Sequence, residues 1–235
     1  MELLVLAGGF GTRLRSAVRD VPKVLAPVNG VPFLKFQLEN WLEQGVREFH
    51  FLLHHQAEQV IAFIEFERND LLSSCHVDWV IESSPLDTGG AIANAVDELG
   101  IRGEFLVTNA DTWLGGGMAD LYATPSPAMA VTHLNDTERY GQVQFDEDGF
   151  VTEFVEKGQT ESGGWINAGL FHLNTELFKQ WDGKAFSLER DLFTALVKRR
   201  GFRAVTLDTE FTDIGVPEDY QRFCAWVESG RSTKL

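Results

Sequence analysis

An unbroken apolar run from Leu3 to Ala7 ends in Gly8-Gly9-Phe10-Gly11-Thr12-Arg13-Leu14-Arg15, and no other stretch narrows the fold so far. A short apolar run without alternation reads as a strand buried on both faces. Glycines at its carboxyl end leave backbone N–H groups bare, and glycine lets an anion approach the chain closely. The loop therefore suits a phosphate. It is not a Walker A loop, because no Gly-Lys-Ser/Thr comes after it. Nor is it a dinucleotide fingerprint, because Leu14 stands where the last glycine belongs. The loop and the residues after it are cationic, with Arg13, Arg15, Arg19 and Lys23 close together. Taken alone, the segment also fits a glycine turn with a solvated basic face.

Those cations stand out because the chain of 235 residues carries a formal charge of −15. Such a balance argues against nucleic acid or an anionic membrane surface as partner. Phosphate substrates would need a local basic patch or metal ions to hold them. Cys75 and Cys224 lack metal-ligand spacing and point to a reducing compartment. The chain opens in a strand rather than a leader, and no apolar run nears about 18 residues, so a soluble, cytoplasmic protein is expected. The length predicts one domain over 1–235.

Further along, Asn29-Gly30 is a tight-turn signal, and Pro32 opens a helix to about Gln44 with Gly45 as its stop. Strands are predicted at 49–53, 77–81 and 105–107, alternating with helices at 57–66 and 90–99. That alternation means βαβ units and a doubly wound, mostly parallel sheet, with ligands at the strands' carboxyl ends. After Asp111 come strands at 128–134, 142–145, 151–155 and 166–173 without full helices between them, which reads as a mixed or antiparallel extension. Asp146 to Gly149 makes a hairpin turn. Helices around 188–198 and 219–227 close the chain. His54 and His55 alternate faces and cannot both reach one ion, so they and His50 read as structural.

Gly8 to Leu14, Pro22-Lys23 and Pro27-Val28 resemble the opening of the sugar-1-phosphate nucleotidyltransferases. The resemblance implies a Rossmann-like fold, with residues 1–111 as a nucleotide-binding half and 112–235 as a sugar-phosphate half. It implies Mg²⁺ and a reaction in which a sugar 1-phosphate attacks a nucleoside triphosphate, giving an NDP-sugar and pyrophosphate. Ala7, Gly8, Gly9, Gly11, Thr12 and Arg13 would wrap the triphosphate, and Lys23 would steady charge at the reacting phosphorus. Asp111, after Asn109-Ala110, matches a metal-binding aspartate, although alone it reads first as a helix- or turn-capping residue. Asp213, in Asp213-Ile214-Gly215-Val216-Pro217, matches the aspartate that shares the metal. Residues 82–91 resemble the base-binding segment, naming Glu82, Thr88, Gly89 and Gly90, with Asp87 where the family commonly has glycine. Read plainly, this is a βα loop capped by Thr88.

Gly141, Glu156, Lys157, Asn167 and Gly169 match sugar-phosphate elements. Glu156 would take sugar hydroxyls and Lys157 the phosphate, the plain alternative being a surface pair worth under about 1 kcal/mol. Asn167 among apolar residues needs a partner, either a sugar hydroxyl or backbone. Guanine offers two adjacent donors that a carboxylate such as Glu82 accepts side by side, which favours GTP. Separately, Gly11 to Leu14, Leu86 to Ile92 and Asp213 to Tyr220 look most like the short guanylyltransferases acting on D-glycero-D-manno-heptose 1-phosphate. A uridylyl- or thymidylyltransferase for a hexose 1-phosphate is the alternative, followed by a non-catalytic nucleotide-sugar-binding relative. The resemblance leaves room for a homodimer.

Overall fold

The computed structural model describes residues 1–18, 20–156 and 163–230, so Arg19 and Lys157 lie outside the described residues. In chain order come β1 (Glu2–Leu6), β2 (Pro27–Val28), β3 (Val31–Pro32), α1 (Phe33–Glu43), β4 (Glu48–Leu53), α2 (Ala57–Glu67) and β5 (His76–Ile81). Next are α3 (Asp87–Glu98), β6 (Glu104–Asn109), β7 (Thr112–Leu114), α4 (Met118–Ala123), β8 (Ala128–Leu134), β9 (Gln142–Phe145) and β10 (Val151–Val155). Last come β11 (Gly164–Asn174), α5 (Thr194–Lys198), β12 (Arg203–Leu207), β13 (Phe211–Asp213) and α6 (Pro217–Glu228). Among the described residues the main sheet is mixed and has nine strands, with two-stranded antiparallel sheets beside it. The fold is α/β, as the alternation of strands and helices required. No described helix is long and apolar enough to cross a membrane.

The chain forms two compact units: Met1–Ser84 with Thr108–Gly116 and Glu210–Leu235, and Pro85–Val107 with Gly117–Thr209. The boundary at residue 111 expected from sequence does not divide them. Residues 112–116 and the C-terminal segment belong with the first unit, and 85–107 with the second. The cause is pairing between strands distant in sequence. β13 lies antiparallel to β7 with Asp213 opposite Thr112, which draws the C-terminal segment back to the residues around Asp111.

In the first unit β1, β4 and β5 run parallel, with Leu3 against Phe49 and Phe49 against Val77. Leu3, Leu4 and Val5 are fully buried, which accounts for the continuous apolar run. Asn29 and Gly30 adopt positive φ between β2 and β3, the two-residue turn that their sequence announces. A cluster of Leu14, Ala26, Val28, Phe33, Trp113, Ile214, Phe223 and Trp226 forms a hydrophobic core in this unit. It gathers the end of the glycine loop, the hairpin, α1, β7, the end of β13 and α6.

In the second unit β8 pairs antiparallel with β11 and parallel with β12, and β9 with β10 forms the predicted hairpin. The Asp146 carboxylate accepts from the N–H groups of Asp148 and Phe150, and Gly149 takes φ 79° to close the turn. Residues 188–193 wind as a π-helix before α5 rather than as one regular helix.

Candidate active site

The apolar cluster of the first unit places three charged side chains, because each is a near neighbour in sequence of a residue buried in it. Lys23 precedes Ala26, Asp111 precedes Trp113, and Asp213 precedes Ile214. The Lys23 ammonium donates to Asp111 Oδ2 in a short contact and lies 3.4 Å from Asp213 Oδ1. Its side chain is only 9% exposed, while those of Asp111 and Asp213 keep 35% and 27% of their surface open. Two backbone N–H donors lock the geometry: Ile214 N–H to the Asp111 backbone carbonyl at 3.0 Å, and Gly215 N–H to the Asp213 carboxylate oxygen Oδ1 at 2.7 Å. Two hard carboxylates thus converge on one positive charge. That is the donor set a divalent cation of the Mg²⁺ type selects, and the ammonium held between them marks where a cation fits.

Two buried amides on α1 support this arrangement. Gln37 donates to Thr112 O at 2.7 Å, and Asn40 donates to Leu114 O at 2.9 Å. Both side chains are buried on the helix face that also carries Phe33, Leu34 and Trp41. They are positioning residues that the sequence motifs do not reveal. The available signal is two amides one helical turn apart on an otherwise apolar face.

The glycine loop lies against Lys23. A Cβ on Gly11 would sit 3.1 Å from the Lys23 Cβ, and Gly11 has φ +58°, so glycine is needed there for both space and conformation. Among the described residues a Cβ on Gly9 would meet nothing within 4 Å, so their packing does not explain that glycine and leaves its backbone open to approach. Ala7 is buried, and its N–H is spent on Leu52 O. Thr12 and Arg13 are exposed. Phe10, Gly11, Leu14, Lys23, His55 and Gln56 line a cavity of about 430 Å³. A larger cavity of about 870 Å³ in the second unit is lined by residues such as Arg102, Glu104 and Trp181 and by none of the described motif residues. Chemistry favours the smaller one.

Glu82 follows β5 in the first unit. Its N–H donates to Leu53 O at 2.8 Å, and its carbonyl is 2.9 Å from His54 Nδ1. His54 therefore serves as a backbone clamp. His50 contacts Glu2 at 2.9 Å, and with Glu48 these form a group close enough to hold an ion. The other ring nitrogen, Nδ1, is buried without a partner among the described residues. Ligation through Nε2 would leave an Nδ1–H there with no acceptor, so the group fits a metal poorly.

In the second unit the motif residues are hydrogen-bonded mostly to residues 186–189 of the same unit. The Gly89 and Gly90 N–H groups donate to Phe186 O at 3.0 and 3.2 Å, and Thr88 Oγ1 accepts from Leu188 N–H at 2.9 Å. A Cβ on Gly89 would lie 2.2 Å from the Phe186 ring, so the ring sets the need for glycine there. Thr88 does not cap α3. The helix begins one residue earlier, at Asp87, which takes φ +59°. Asn167 donates to Glu189 Oε1 at 2.8 Å and accepts from Gly169 N–H at 2.9 Å. Gly169 has φ +72° inside the irregular register between Asn167 and Phe171, so the Asn-Ala-Gly element is a self-capped β-bulge. Glu156 is exposed, and Gly141 is half-buried against Val155 O.

The profile of the nucleotidyl transferase family matches residues 2–229. A D-glycero-alpha-D-manno-heptose 1-phosphate guanylyltransferase of Campylobacter jejuni is 35% identical over 225 residues, covering 95% of this chain and 98% of that protein. A mannose-1-phosphate guanylyltransferase catalytic subunit beta of Drosophila pseudoobscura is 30% identical over 97% of this chain, which spans only 63% of that longer protein. Among solved structures, HddC from Yersinia pseudotuberculosis complexed with GMP-PN superposes with a TM-score of 0.81 at 32% identity, covering 96% of this chain and 99% of that one.

Proposed function

The chain belongs to the nucleotidyl transferase family, and we propose that it is a guanylyltransferase making a GDP-sugar and pyrophosphate from GTP and D-glycero-D-manno-heptose 1-phosphate. The observation that carries this reading is the Lys23, Asp111 and Asp213 cluster beside an open glycine loop. The resemblance to the Campylobacter relative over nearly its whole length supports the choice of sugar.

The phosphate of a sugar 1-phosphate has its second pKa near about 6 and is largely dianionic at neutral pH. It needs no general base. One of its oxygens attacks the α-phosphorus, the bond from that phosphorus to the bridging oxygen breaks, and pyrophosphate leaves with the electron pair. The chain's task is in-line positioning and neutralisation of charge. Gly8, Gly9, Gly11 and Thr12 supply backbone donors to the phosphates, and Arg13 and Lys23 supply positive charge. Asp111 and Asp213 would hold Mg²⁺, which offsets phosphate charge when bound. Glu82 would accept from guanine N1–H and the 2-amino group, a bidentate contact worth about 1–3 kcal/mol of discrimination. In the second unit, Glu156, Asn167 and the bulge at Gly169 are assigned to the sugar, Gly141 to its approach and Lys157 to its phosphate. Thr88, Gly89 and Gly90 act on the base through the loop they fix.

The test is a competition assay with four nucleoside triphosphates at equal concentration and either heptose 1-phosphate or mannose 1-phosphate, read out as pyrophosphate release. GTP with the heptose should be consumed first. Preference for UTP or dTTP would overturn the base assignment, preference for mannose 1-phosphate the sugar, and no turnover at all would favour a binding protein.

A further inference from the structure

The Lys23 ammonium occupies the gap between the two carboxylates that would hold a cation. Asp111 Oδ2 and Asp213 Oδ1 both face it. The pocket behind is tight, because a Cβ on Gly215 would lie 3.0 Å from Lys23 Nζ and 2.7 Å from Asp213 Oδ1. The stem is confined at its other end, where Gly11 passes close to the Lys23 Cβ. A divalent cation and this ammonium cannot share the gap between the carboxylates. A buried ammonium stripped of its counter-ions is costly, so Lys23 leaves only when another anion is offered. The glycine loop, which packs on the lysine stem, is where that anion would be.

We propose that Lys23 is an internal counter-ion that keeps divalent metal weakly bound in the nucleotide-free protein, and that moves to the triphosphate when it binds, releasing Asp111 and Asp213 for the metal. Metal and triphosphate then strengthen each other's binding by equal factors, as linkage requires. This rests on the metal assignment above.

The test measures Mn²⁺ binding to nucleotide-free protein by titration calorimetry or by electron paramagnetic resonance of free Mn²⁺. Wild type should bind weakly. Lys23→Gln should bind at least about tenfold more tightly, a modest effect for one charge removed from beside two carboxylates. Lys23→Arg, which keeps the charge, should stay close to wild type. Adding Asp111→Asn to Lys23→Gln should abolish the gain. Lys23→Met serves in place of the glutamine variant should that one not fold. Equal affinity in wild type and Lys23→Gln, with both weakened by Asp111→Asn, would overturn the counter-ion role while leaving the metal ligands in place. Mn²⁺ binding indifferent to both Asp111→Asn and Asp213→Asn would overturn the metal assignment itself.

Discussion

The two units use similar residue types in opposite ways. In the first, glycines and aspartates end up around a buried ammonium, with carboxylates partly open and a loop that packing leaves bare at Gly9. In the second, the glycine pair, Thr88 and Asn167 are already bonded to Phe186, Leu188 and Glu189. The first arrangement concentrates charge that a ligand would complete. The second spends its polar groups on fixing a loop. A motif residue can therefore belong to a site by touching the ligand or by shaping what touches it, and only the pattern of hydrogen bonds separates the two.

The largest effect should come from the charged cluster. Asp213→Asn is expected to lower kcat by at least about 100-fold, as loss of a main charge-stabilising element does. The melting temperature should change little, because Asp213 is partly exposed and the β13–β7 pairing persists. Asp111→Asn should lower kcat to a similar extent, and the double variant should cost kcat little more than the worse single one. Turnover near wild type in either variant would break the contrast at its strongest point.

Gly89→Ala probes the other side. Its new methyl meets the Phe186 ring at 2.2 Å, so the ring or the helix must shift, at a cost of roughly 1–3 kcal/mol in stability by denaturant titration. In a Phe186→Leu background most of that cost should vanish, since the two residues are in direct contact. Unchanged stability together with weakened nucleotide binding would mean that the glycine serves a ligand after all, and the units would differ less than the hydrogen bonds indicate.

Much of this is legible in the sequence where the signal is local. The buried run before the glycine loop, the Asn29-Gly30 turn and the Asp146–Gly149 turn are each set by residues within a few positions. Asp111 and Asp213 are named through resemblance to a family. Nothing local tells that β13 pairs with β7, because strand register between distant segments depends on the whole core. The same holds for the start of α3. The glycine pair looks like a helix opening, yet the helix begins at Asp87 and the Phe186 carbonyl, distant in sequence, takes both glycine N–H groups. Gln37 and Asn40 escape notice because a buried amide has no signature until its carbonyl partner is known.

The smallest effect should be that of Asp87→Gly, and several opposing contributions decide it. Asp87 holds φ +59°, a conformation that costs a side chain some free energy and costs glycine none. Glycine regains that strain but loses more chain entropy on folding, about 0.5–1 kcal/mol in the other direction. The substitution also removes the Asp87 bond to Thr88 N–H at 2.8 Å and an acidic group from the first turn of α3, the latter worth about 0.3–1 kcal/mol. The pairing with Arg190 at 2.8 Å is lost too, but the arginine is 78% exposed, so little is forfeited. The sum stays within about 1 kcal/mol of zero, a shift of a few degrees at most in melting temperature, and kcat should fall by less than about threefold. That near-neutrality arises because the Phe186 carbonyl and Leu188 N–H hold the loop without the aspartate. A loss of activity above tenfold with stability intact would place Asp87 in contact with substrate, and the second unit would then share the first unit's way of using charge.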